Sequence, residues 1–441
     1  MPVFFVAFES NTRRNIHLEQ PNHKAVLVGV QLPGNPHYAS AMEELGQLAD
    51  ACGIEVVGRI EQKAERVNPA LYMGSGKIKE LAALLQSANA AIAIFNDELS
   101  PSQIRNLEAE LDTRVIDRTI LILDIFAQRA QTREAKLQVE VARLQYMLPR
   151  LVGLRESLGR QGGNGGGAGL KNRGSGETKL ELDRRRVEDR IAALQADLEK
   201  LVARRHVQRG QRQKNEVPVV CLVGYTNAGK SSLMNAMLRR YGSGTGKEVF
   251  EKNMLFATLE TSVRSIELPD HRSFLLADTV GFVSQLPHHL VKAFRSTLEE
   301  VADADLLLHV VDVADPEHER QIEVTRETLV ELGAGDVPIL RVYNKADLAE
   351  VAYPRINDDS ITLSARDGAG LEELTQLIGE RIFRDYLSCE ILIPYAQGKL
   401  VAFFNENAHV EEQTHEELGT RLKLTCRIAD YDKYAADFVT L

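Results

Sequence analysis

Short apolar runs alternate with amphipathic stretches along the first quarter of the chain. The apolar runs have the character of strands and cover residues 25–31, 54–60, 91–95 and 114–116. The stretches between them have helical spacing and cover residues 38–52, 77–86 and 101–111. Strands that alternate with helices are typical of a mostly parallel sheet. We therefore predict an N-terminal α/β domain over residues 1–118.

A different pattern follows, in which apolar residues recur at helical intervals over two long stretches. They are Leu137, Val141, Leu144 and Leu148 in the first stretch, and Ile191, Leu194, Leu198, Leu201 and Val202 in the second. Residues 155–176 between these stretches are glycine-rich, with residues 162–169 at the centre. This arrangement predicts a long antiparallel helical hairpin over residues 119–215 with an exposed glycine-rich tip. A flexible linker is the alternative interpretation of the glycine tract.

The second half of the chain predicts two further units. Apolar runs typical of buried strands lie at residues 217–223, 274–278, 305–312 and 337–343, and they indicate an α/β domain over residues 216–385. Strand patterns at residues 390–394 and 421–428 flank a helical pattern at 398–406, which predicts a small α+β domain over residues 386–441. The expected fold class is therefore α/β multidomain, with the helical hairpin as one of four units.

The chemistry-bearing motif of the third unit lies directly after its first apolar run. Residues 224–231 (GYTNAGKS) fit the pattern G-x-x-x-x-G-K-[ST] between a strand and a helix. In this pattern backbone N–H groups surround the α- and β-phosphates, the lysine reaches the β/γ oxygens, and the hydroxyl ligates magnesium. Lys230 and Ser231 are the residues that fill these two roles. The motif predicts a P-loop domain that binds a nucleoside triphosphate.

A second motif predicts which base is bound. Residues 344–347 (NKAD) follow another apolar run, at the strand end where open α/β sheets bind ligands. The Asp347 carboxylate can accept both N–H groups on the guanine edge, whereas adenine has no such pair of donors. An isolated motif of this kind is usually a polar turn, but its place after a P-loop favours GTP over ATP.

Composition narrows the class of protein. The chain has 441 residues, of which 44% are hydrophobic, and its four cysteines lie without metal-site or C-x-x-C spacing. No disulfide framework or zinc site is therefore expected. The N-terminal apolar segment lacks the basic lead-in of a signal peptide, and no run approaches the length of a membrane-spanning helix. We expect a cytoplasmic, monomeric protein.

Charge is distributed unevenly along this acidic chain. The formal net charge is −10, yet residues 171–214 contain 13 Lys/Arg and 7 Asp/Glu. This basic region indicates a surface that faces a polyanion, and Arg160, Lys171 and Arg173 flank the glycine tract. A solvated helix with ion pairs at helical spacing, such as Glu181 with Arg184 or Arg185, explains the charges equally well.

Several longer stretches resemble the HflX family of ribosome-associated GTPases. They are residues 95–108, 114–118, 122–129, 136–140, 176–181, 255–260 and 278–288. The resemblance covers most of the chain and implies GTP hydrolysis, binding to the large ribosomal subunit and its rRNA, and separation of stalled or vacant ribosomes, with a connection to heat stress. Two segments depart from the family pattern: residues 162–176 are longer than usual, with Ser175 where proline is common, and residues 239–247 resemble an insertion.

The resemblance also implies a set of site residues. The implied catalytic residues are Lys230, Asp278 and Gly281, and magnesium would be held by Ser231 and Thr258. The implied GTP-binding residues are Gly224, Tyr225, Thr226, Asn227, Ala228, Gly229, Lys230, Ser231, Phe256, Ala257, Thr258, Leu259, Glu260, Asp278, Thr279, Val280, Gly281, Asn344, Lys345, Ala346, Asp347, Ser364, Ala365 and Arg366. Asn227 matches the position at which potassium-dependent GTPases ligate the cation, although it can equally cap the loop.

One position departs from many GTPases. Phe282 follows Gly281, where several GTPases have the glutamine that orients the attacking water. A phenyl ring cannot orient water, so we expect slow intrinsic hydrolysis that a partner accelerates. A packing role for this ring is compatible with that expectation.

Two other functions compete with a ribosome-associated GTPase. A metabolic enzyme that uses ATP is disfavoured by the NKAD motif, whereas the basic hairpin favours an ATP-using RNA-binding or helicase-like protein. The chain has one evident nucleotide-binding domain and no strand-separation motif. Residues 74–77 (GSGK) resemble an anion-binding turn, but they lack phosphate-loop spacing and are better interpreted as a helix cap.

Overall fold

The computed structural model describes residues 23–161, 181–182, 184–201, 217–242, 255–256, 261–268, 272–284, 300–384 and 386–440, with backbone only for 151–161. Its N-terminal sheet consists of the strands β1 (His23–Gln31), β2 (Ile54–Lys63), β3 (Ile92–Phe95) and β4 (Arg114–Asp117). All pairs are parallel, in the order β2-β1-β3-β4. The intervening helices are α1 (Tyr38–Ala51), α2 (Ser75–Ser87) and α3 (Pro101–Leu111). The mostly parallel sheet expected from the alternating pattern is confirmed.

Both faces of this sheet are apolar, as strands covered on two sides require. Ala25 and Leu27 of β1 pack with α1, whereas Val26 and Val28 pack with α2 and α3 on the other face. Helix α2 begins after Gly74, which is the N-cap residue, so the GSGK segment does open a helix.

Three helices follow the sheet. Helix α4 (Arg118–Arg129) has Asp117 as its N-cap residue, and the Asp117 carboxylate accepts the Ile120 N–H at 3.0 Å. Helix α5 (Arg133–Gln161) packs against the helical residues 181–182 and 184–201, here α6, through Val141, Val187, Ile191 and Leu194. Ion pairs join Glu140 to Arg190 and Asp197 to Arg133, so the two helices run antiparallel.

The glycine-rich segment begins later than the sequence pattern suggests. Helix α5 continues to Gln161, so residues 155–161, which were expected to belong to the connection, are helical. Leu, Arg, Glu and Gln dominate this stretch and favour helix, which outweighs the single Gly159. The glycine tract itself, with Lys171, Arg173 and Ser175, lies outside the described residues.

The third unit has a seven-stranded sheet in the order β10-β11-β9-β8-β5-β7-β6. The strands are β5 (Val219–Val223), β6 (Ser262–Glu267), β7 (Ser273–Asp278), β8 (Leu306–Asp312), β9 (Ile339–Asn344), β10 (Arg355–Asn357) and β11 (Ser360–Thr362). The helices are α7 (Lys230–Tyr241), α8 (His318–Glu331) and α9 (Leu371–Ile382). All neighbours are parallel except the two edge strands, β6 and β10.

The C-terminal part has an antiparallel sheet in the order β13-β14-β12-β15. Its strands are β12 (Tyr386–Pro394), β13 (His409–Glu416), β14 (Gly419–Arg427) and β15 (Val439–Thr440), and its helices are α10 (Gly398–Asn407) and α11 (Ile428–Tyr434). The boundaries that divide the chain into four units remain predictions. Among the described helices, none is long and apolar enough to cross a membrane.

One hydrophobic core spans the N-terminal and P-loop units. Residues of α1 and α4 lie in the same cluster as Cys221 and Val223 of β5, and Phe126 meets the ring of Phe256 edge-on at 4.7 Å between centroids. Phe282 is also buried in this cluster. The packing role of that ring is therefore observed, and the P-loop lies against the N-terminal unit.

Candidate functional site

The P-loop connects β5 to α7 and has two backbone positions that only glycine fits. Gly224 has φ +140°, and a Cβ there would lie 2.2 Å from the Val310 carbonyl oxygen. Gly229 has φ +94°, and its Cβ would lie 2.2 Å from the Asn344 amide nitrogen. Both φ values are strained for side chains other than hydrogen. The loop thus approaches β8 and the NKAD segment closely.

Lys230 opens α7 and is almost fully buried. Its ammonium group donates to the carbonyl oxygens of Gly224 at 3.0 Å and Tyr225 at 2.7 Å, inside the loop. Burial lowers the pKa of Lys230 to about 8, and nearby Asp278 opposes this effect. A bound phosphate would favour the charged form of Lys230 and so oppose the effect of burial on its pKa.

Ser231 and Asp278 place two oxygen ligands side by side. The Ser231 hydroxyl donates to the Asp278 carboxylate at 2.7 Å, so the start of α7 and the end of β7 meet. Among the described residues, no group of three or more His, Cys, Asp or Glu side chains could hold a metal ion.

Switch II, defined as residues 278–284, lies directly on the P-loop. Thr226 N–H donates to the Phe282 carbonyl at 2.8 Å, and Phe282 N–H donates to the Gly224 carbonyl at 3.1 Å. A Cβ on Gly281 would lie 2.7 Å from the Thr226 methyl group and 2.9 Å from the Lys230 ammonium nitrogen. Glycine is therefore required here by close approach, and switch II reaches the phosphate end of the site.

The residues predicted to recognise the base form a connected set beside the loop. Asn344 donates to the Ala228 carbonyl at 3.0 Å and accepts the Ala365 N–H at 2.9 Å. The Ser364 hydroxyl donates to Asp347 at 2.8 Å, and the Lys345 ammonium lies 2.7 Å from Asp312. The hydrogen bond from Ser364 orients the Asp347 carboxylate, as recognition of a base edge would require.

Further predicted residues fall into four groups. Thr279 and Val280 are buried behind the site, since the Thr279 hydroxyl donates to the Leu222 carbonyl at 2.7 Å. Arg366 is exposed and its guanidinium lies 3.8 Å from Asp347. Asn227, in the P-loop turn, has φ +62°. Ala257, Thr258, Leu259 and Glu260 lie outside the described residues, so the second magnesium ligand has no described position.

Three residues next to this site were not predicted from the sequence. Glu44 of α1 and Ser284 of switch II contact the Tyr225 hydroxyl between the N-terminal and P-loop units, and Arg118 of α4 pairs with Glu44. One sequence signal pointed to Glu44. It lies with Ala41, Leu45 and Leu48 at i, i+3, i+4 and i+7 spacing, so a charge occupies the apolar face of α1.

Family models match three consecutive parts of the chain. Residues 39–127 match "GTP-binding GTPase N-terminal", and residues 129–212 match "GTP-binding GTPase Middle Region". Residues 219–345, which carry the P-loop, switch II and the first two residues of the NKAD segment, match "50S ribosome-binding GTPase". The phosphate side of the site described above thus lies in a part of the chain that matches a GTPase domain, and Asp347 lies just beyond the end of that part.

Relatives match over nearly the whole length. GTPase HflX of Caldanaerobacter subterraneus subsp. tengcongensis is 44% identical over 94% of this chain and 94% of its own. GTPase HflX of Lacrimispora saccharolytica is 41% identical over 92% of this chain and 93% of its own. GTPase HflX of Escherichia coli K12 is 41% identical over 88% of this chain and 90% of its own. With the P-loop and NKAD geometry, these matches establish that the chain belongs to the HflX family of GTPases and hydrolyses GTP.

Proposed function

We propose that this chain binds the large ribosomal subunit in its GTP form, separates stalled or vacant ribosomes, and is released after hydrolysis. The observation that carries the proposal is the match of residues 219–345 to the 50S ribosome-binding GTPase model. The three relatives described above are each named GTPase HflX. Such a factor acts on ribosomes as a single cytoplasmic chain, with GTP and GDP as its small-molecule partners.

The nucleotide site supports a switch cycle. In this proposal Lys230 and the P-loop N–H groups hold the phosphates, Asp347 reads the guanine, and the Gly281 N–H contacts the γ-phosphate. The close approach of Gly281 to Thr226 and Lys230 supports a position on the phosphate side of the site, from which a movement of switch II would bring the Gly281 N–H to the γ-phosphate. Loss of the γ-phosphate would release switch II, as in other GTPases. Phe282 is buried and its phenyl ring cannot orient water. In this proposal a group supplied by the ribosome therefore positions the attacking water.

The oxygen pair at the start of α7 fits magnesium. Mg²⁺ prefers oxygen ligands and is usually held by one or two protein groups with substrate phosphates. Ser231 would be a direct ligand, Asp278 would act through a bound water, and Thr258 would complete the protein's contribution. Bound magnesium neutralises charge on the β- and γ-phosphates.

The α5–α6 pair is the proposed ribosome-facing element, with the glycine tract at its tip. The Arg185 guanidinium is 67% exposed, although Glu181 lies 3.4 Å away. Arg184 also pairs with Glu181 and Glu188 on its own helix. Exposed ion pairs of this kind are weak, so a phosphate can displace the glutamate partner. The arginines thus remain available for rRNA.

Potassium is expected to accelerate GTP hydrolysis relative to sodium. A cation bound at Asn227 would offset phosphate charge in the position that an arginine finger occupies elsewhere. Multiple-turnover rates in KCl and NaCl at equal ionic strength measure this effect, with Asn227→Ala as the variant that should lose it. Equal rates of the native protein in the two salts would contradict the potassium site.

Sedimentation with purified large subunits tests the proposed function. Through a sucrose cushion, we expect the protein to pellet with the subunit in a non-hydrolysable GTP analogue and to remain in the supernatant with GDP. Neutral replacements of Arg184, Arg185 and Arg186 should weaken pelleting and reduce its salt dependence, since phosphate contacts release counterions. Pelleting that is independent of the nucleotide, or that requires ATP, would contradict the proposal.

A further inference from the structure

A buried polar cluster joins the N-terminal unit to the phosphate side of the GTPase site. Its members are Glu44, Arg118, Tyr225 and Ser284, whose exposure lies between 2% and 8%. Arg118 and Glu44 form an ion pair, and Tyr225 donates its hydroxyl hydrogen to the same carboxylate. Buried charges are costly unless they are paired and hydrogen-bonded, and here both conditions are met.

Tyr225 and Ser284 bring this cluster into the nucleotide site. Tyr225 is the second residue of the P-loop, and its carbonyl accepts the Lys230 ammonium. Ser284 is the last residue of switch II, and its N–H donates to the Tyr225 hydroxyl oxygen at 2.6 Å. The hydroxyl groups of Tyr225 and Ser284 are also 2.6 Å apart. The tyrosine hydroxyl therefore connects the two segments that face the phosphates.

The N-terminal unit holds switch II from its other side. Arg118 donates to the Ser284 carbonyl at 3.0 Å, and its second nitrogen donates to Asn96 at 3.3 Å. Glu44 also accepts the Ser284 N–H at 3.3 Å. Burial raises the pKa of Tyr225, so its hydroxyl remains a donor throughout the physiological range. Ser284 is thus fixed by two residues that belong to neither the P-loop nor a switch.

We infer that Glu44 and Arg118 are positioning residues for GTP: through Tyr225 and Ser284 they hold switch II in the arrangement it has before the γ-phosphate is contacted. This inference rests on the proposed contact between the Gly281 N–H and the γ-phosphate. Gly281 lies three residues before Ser284, so a movement of switch II towards that phosphate strains or breaks the hydrogen bonds to the Tyr225 hydroxyl. GDP lacks the γ-phosphate and leaves them intact.

This coupling works in both directions. Because linked equilibria are reciprocal, a change of the N-terminal unit that loosens the cluster raises the affinity for GTP, and GTP loosens the N-terminal unit by the same factor. A ribosomal contact with the N-terminal unit would thereby reach the γ-phosphate site without touching the nucleotide.

Tyr225→Phe tests the inference, since it removes the hydroxyl and keeps the ring. We expect the affinity for a non-hydrolysable GTP analogue to rise about 2- to 10-fold, the equivalent of one net hydrogen bond, with GDP affinity unchanged. Fluorescent analogues of both nucleotides measure the ratio of the GTP-analogue affinity to the GDP affinity directly. Ser284→Ala should shift the ratio in the same direction by a smaller factor, and it provides the test if the first variant does not fold.

Tyr146→Phe is the matched control. Tyr146 is also buried and donates to a carboxylate, but it lies on α5 and its carboxylate acceptor is Asp117 instead of Glu44. It should lower thermal stability without changing the ratio of the two affinities. A ratio that Tyr225→Phe leaves unchanged or lowers, or that Tyr146→Phe shifts equally, would overturn the inference. Failure of the native protein to bind GTP would instead overturn the proposed function.

Discussion

Asp347→Asn is expected to weaken GTP binding about 100-fold and to strengthen binding of xanthosine triphosphate. The Asp347 carboxylate can accept two guanine N–H groups, whereas asparagine has one acceptor and adds donors. The complementary edge of xanthine accepts such a donor, so the substitution exchanges one base preference for another. The Ser364 hydroxyl, 2.8 Å from Asp347, holds the side chain in one orientation and makes this exchange specific. Competition of the two nucleotides for a fluorescent probe measures both affinities.

The control for this prediction is Asp336→Asn, which changes the same functional group at an exposed position of the same domain. It should leave both affinities unchanged. An Asp347→Asn variant that binds GTP with native affinity would remove this residue from the base site, and with it the main physical argument for guanine over adenine.

Replacing residues 162–169 with a short linker is expected to abolish ribosome separation and most of the ribosome-stimulated GTPase activity. The described part of the hairpin brings α5 and α6 together through Val141, Val187, Ile191 and Leu194, so its framework does not depend on the glycine tract. The replaced tract contains no residue of the P-loop, switch II or the NKAD segment, and the intrinsic affinity for GTP should therefore remain unchanged. Light scattering of ribosomes and equilibrium nucleotide binding measure the two properties in one preparation.

Lys230→Ala should have the opposite effect to the linker variant, because it changes the nucleotide site and leaves the hairpin intact. It retains the hairpin but removes the ammonium group of the P-loop, so hydrolysis should fall by about two to three orders of magnitude, as after loss of one strong electrostatic contact in a catalytic site. If the linker variant still separates ribosomes at the native rate, the tip acts only as a connection, and the working surface lies on another part of the chain.

The nucleotide site was largely predictable because its chemistry depends on local spacing. A strand, a glycine-rich turn and a helix fix Lys230 and Ser231 relative to one another within eight residues. Parallel strands then bring the ends of β5, β7 and β9 to one edge of the sheet, where Asp278 and Asn344 meet the P-loop. The strands of the N-terminal sheet were also predictable, because the alternation of apolar runs and amphipathic stretches is a local property of the sequence.

Contacts between units were not predictable in this way. Glu44 and Tyr225 are 181 positions apart, and neither has a partner nearby in sequence that would reveal the other. A carboxylate on the apolar face of α1 signals that some buried donor exists, but the pattern does not identify it. The end of α5 is a second difference. The glycine tract suggests a connection from residue 155, whereas the helix-forming residues before that tract continue the helix to Gln161.

The rate at which intact ribosomes separate in the presence of this protein tests the central claim most directly. Purified ribosomes are mixed with the protein and GTP, a non-hydrolysable analogue, GDP or ATP, and the fall in light scattering is followed. We expect separation with GTP and with the analogue, and none with GDP or ATP. Separation that is equally fast with GDP, or its absence with GTP despite nucleotide binding, would contradict a GTP-dependent ribosome-separating function.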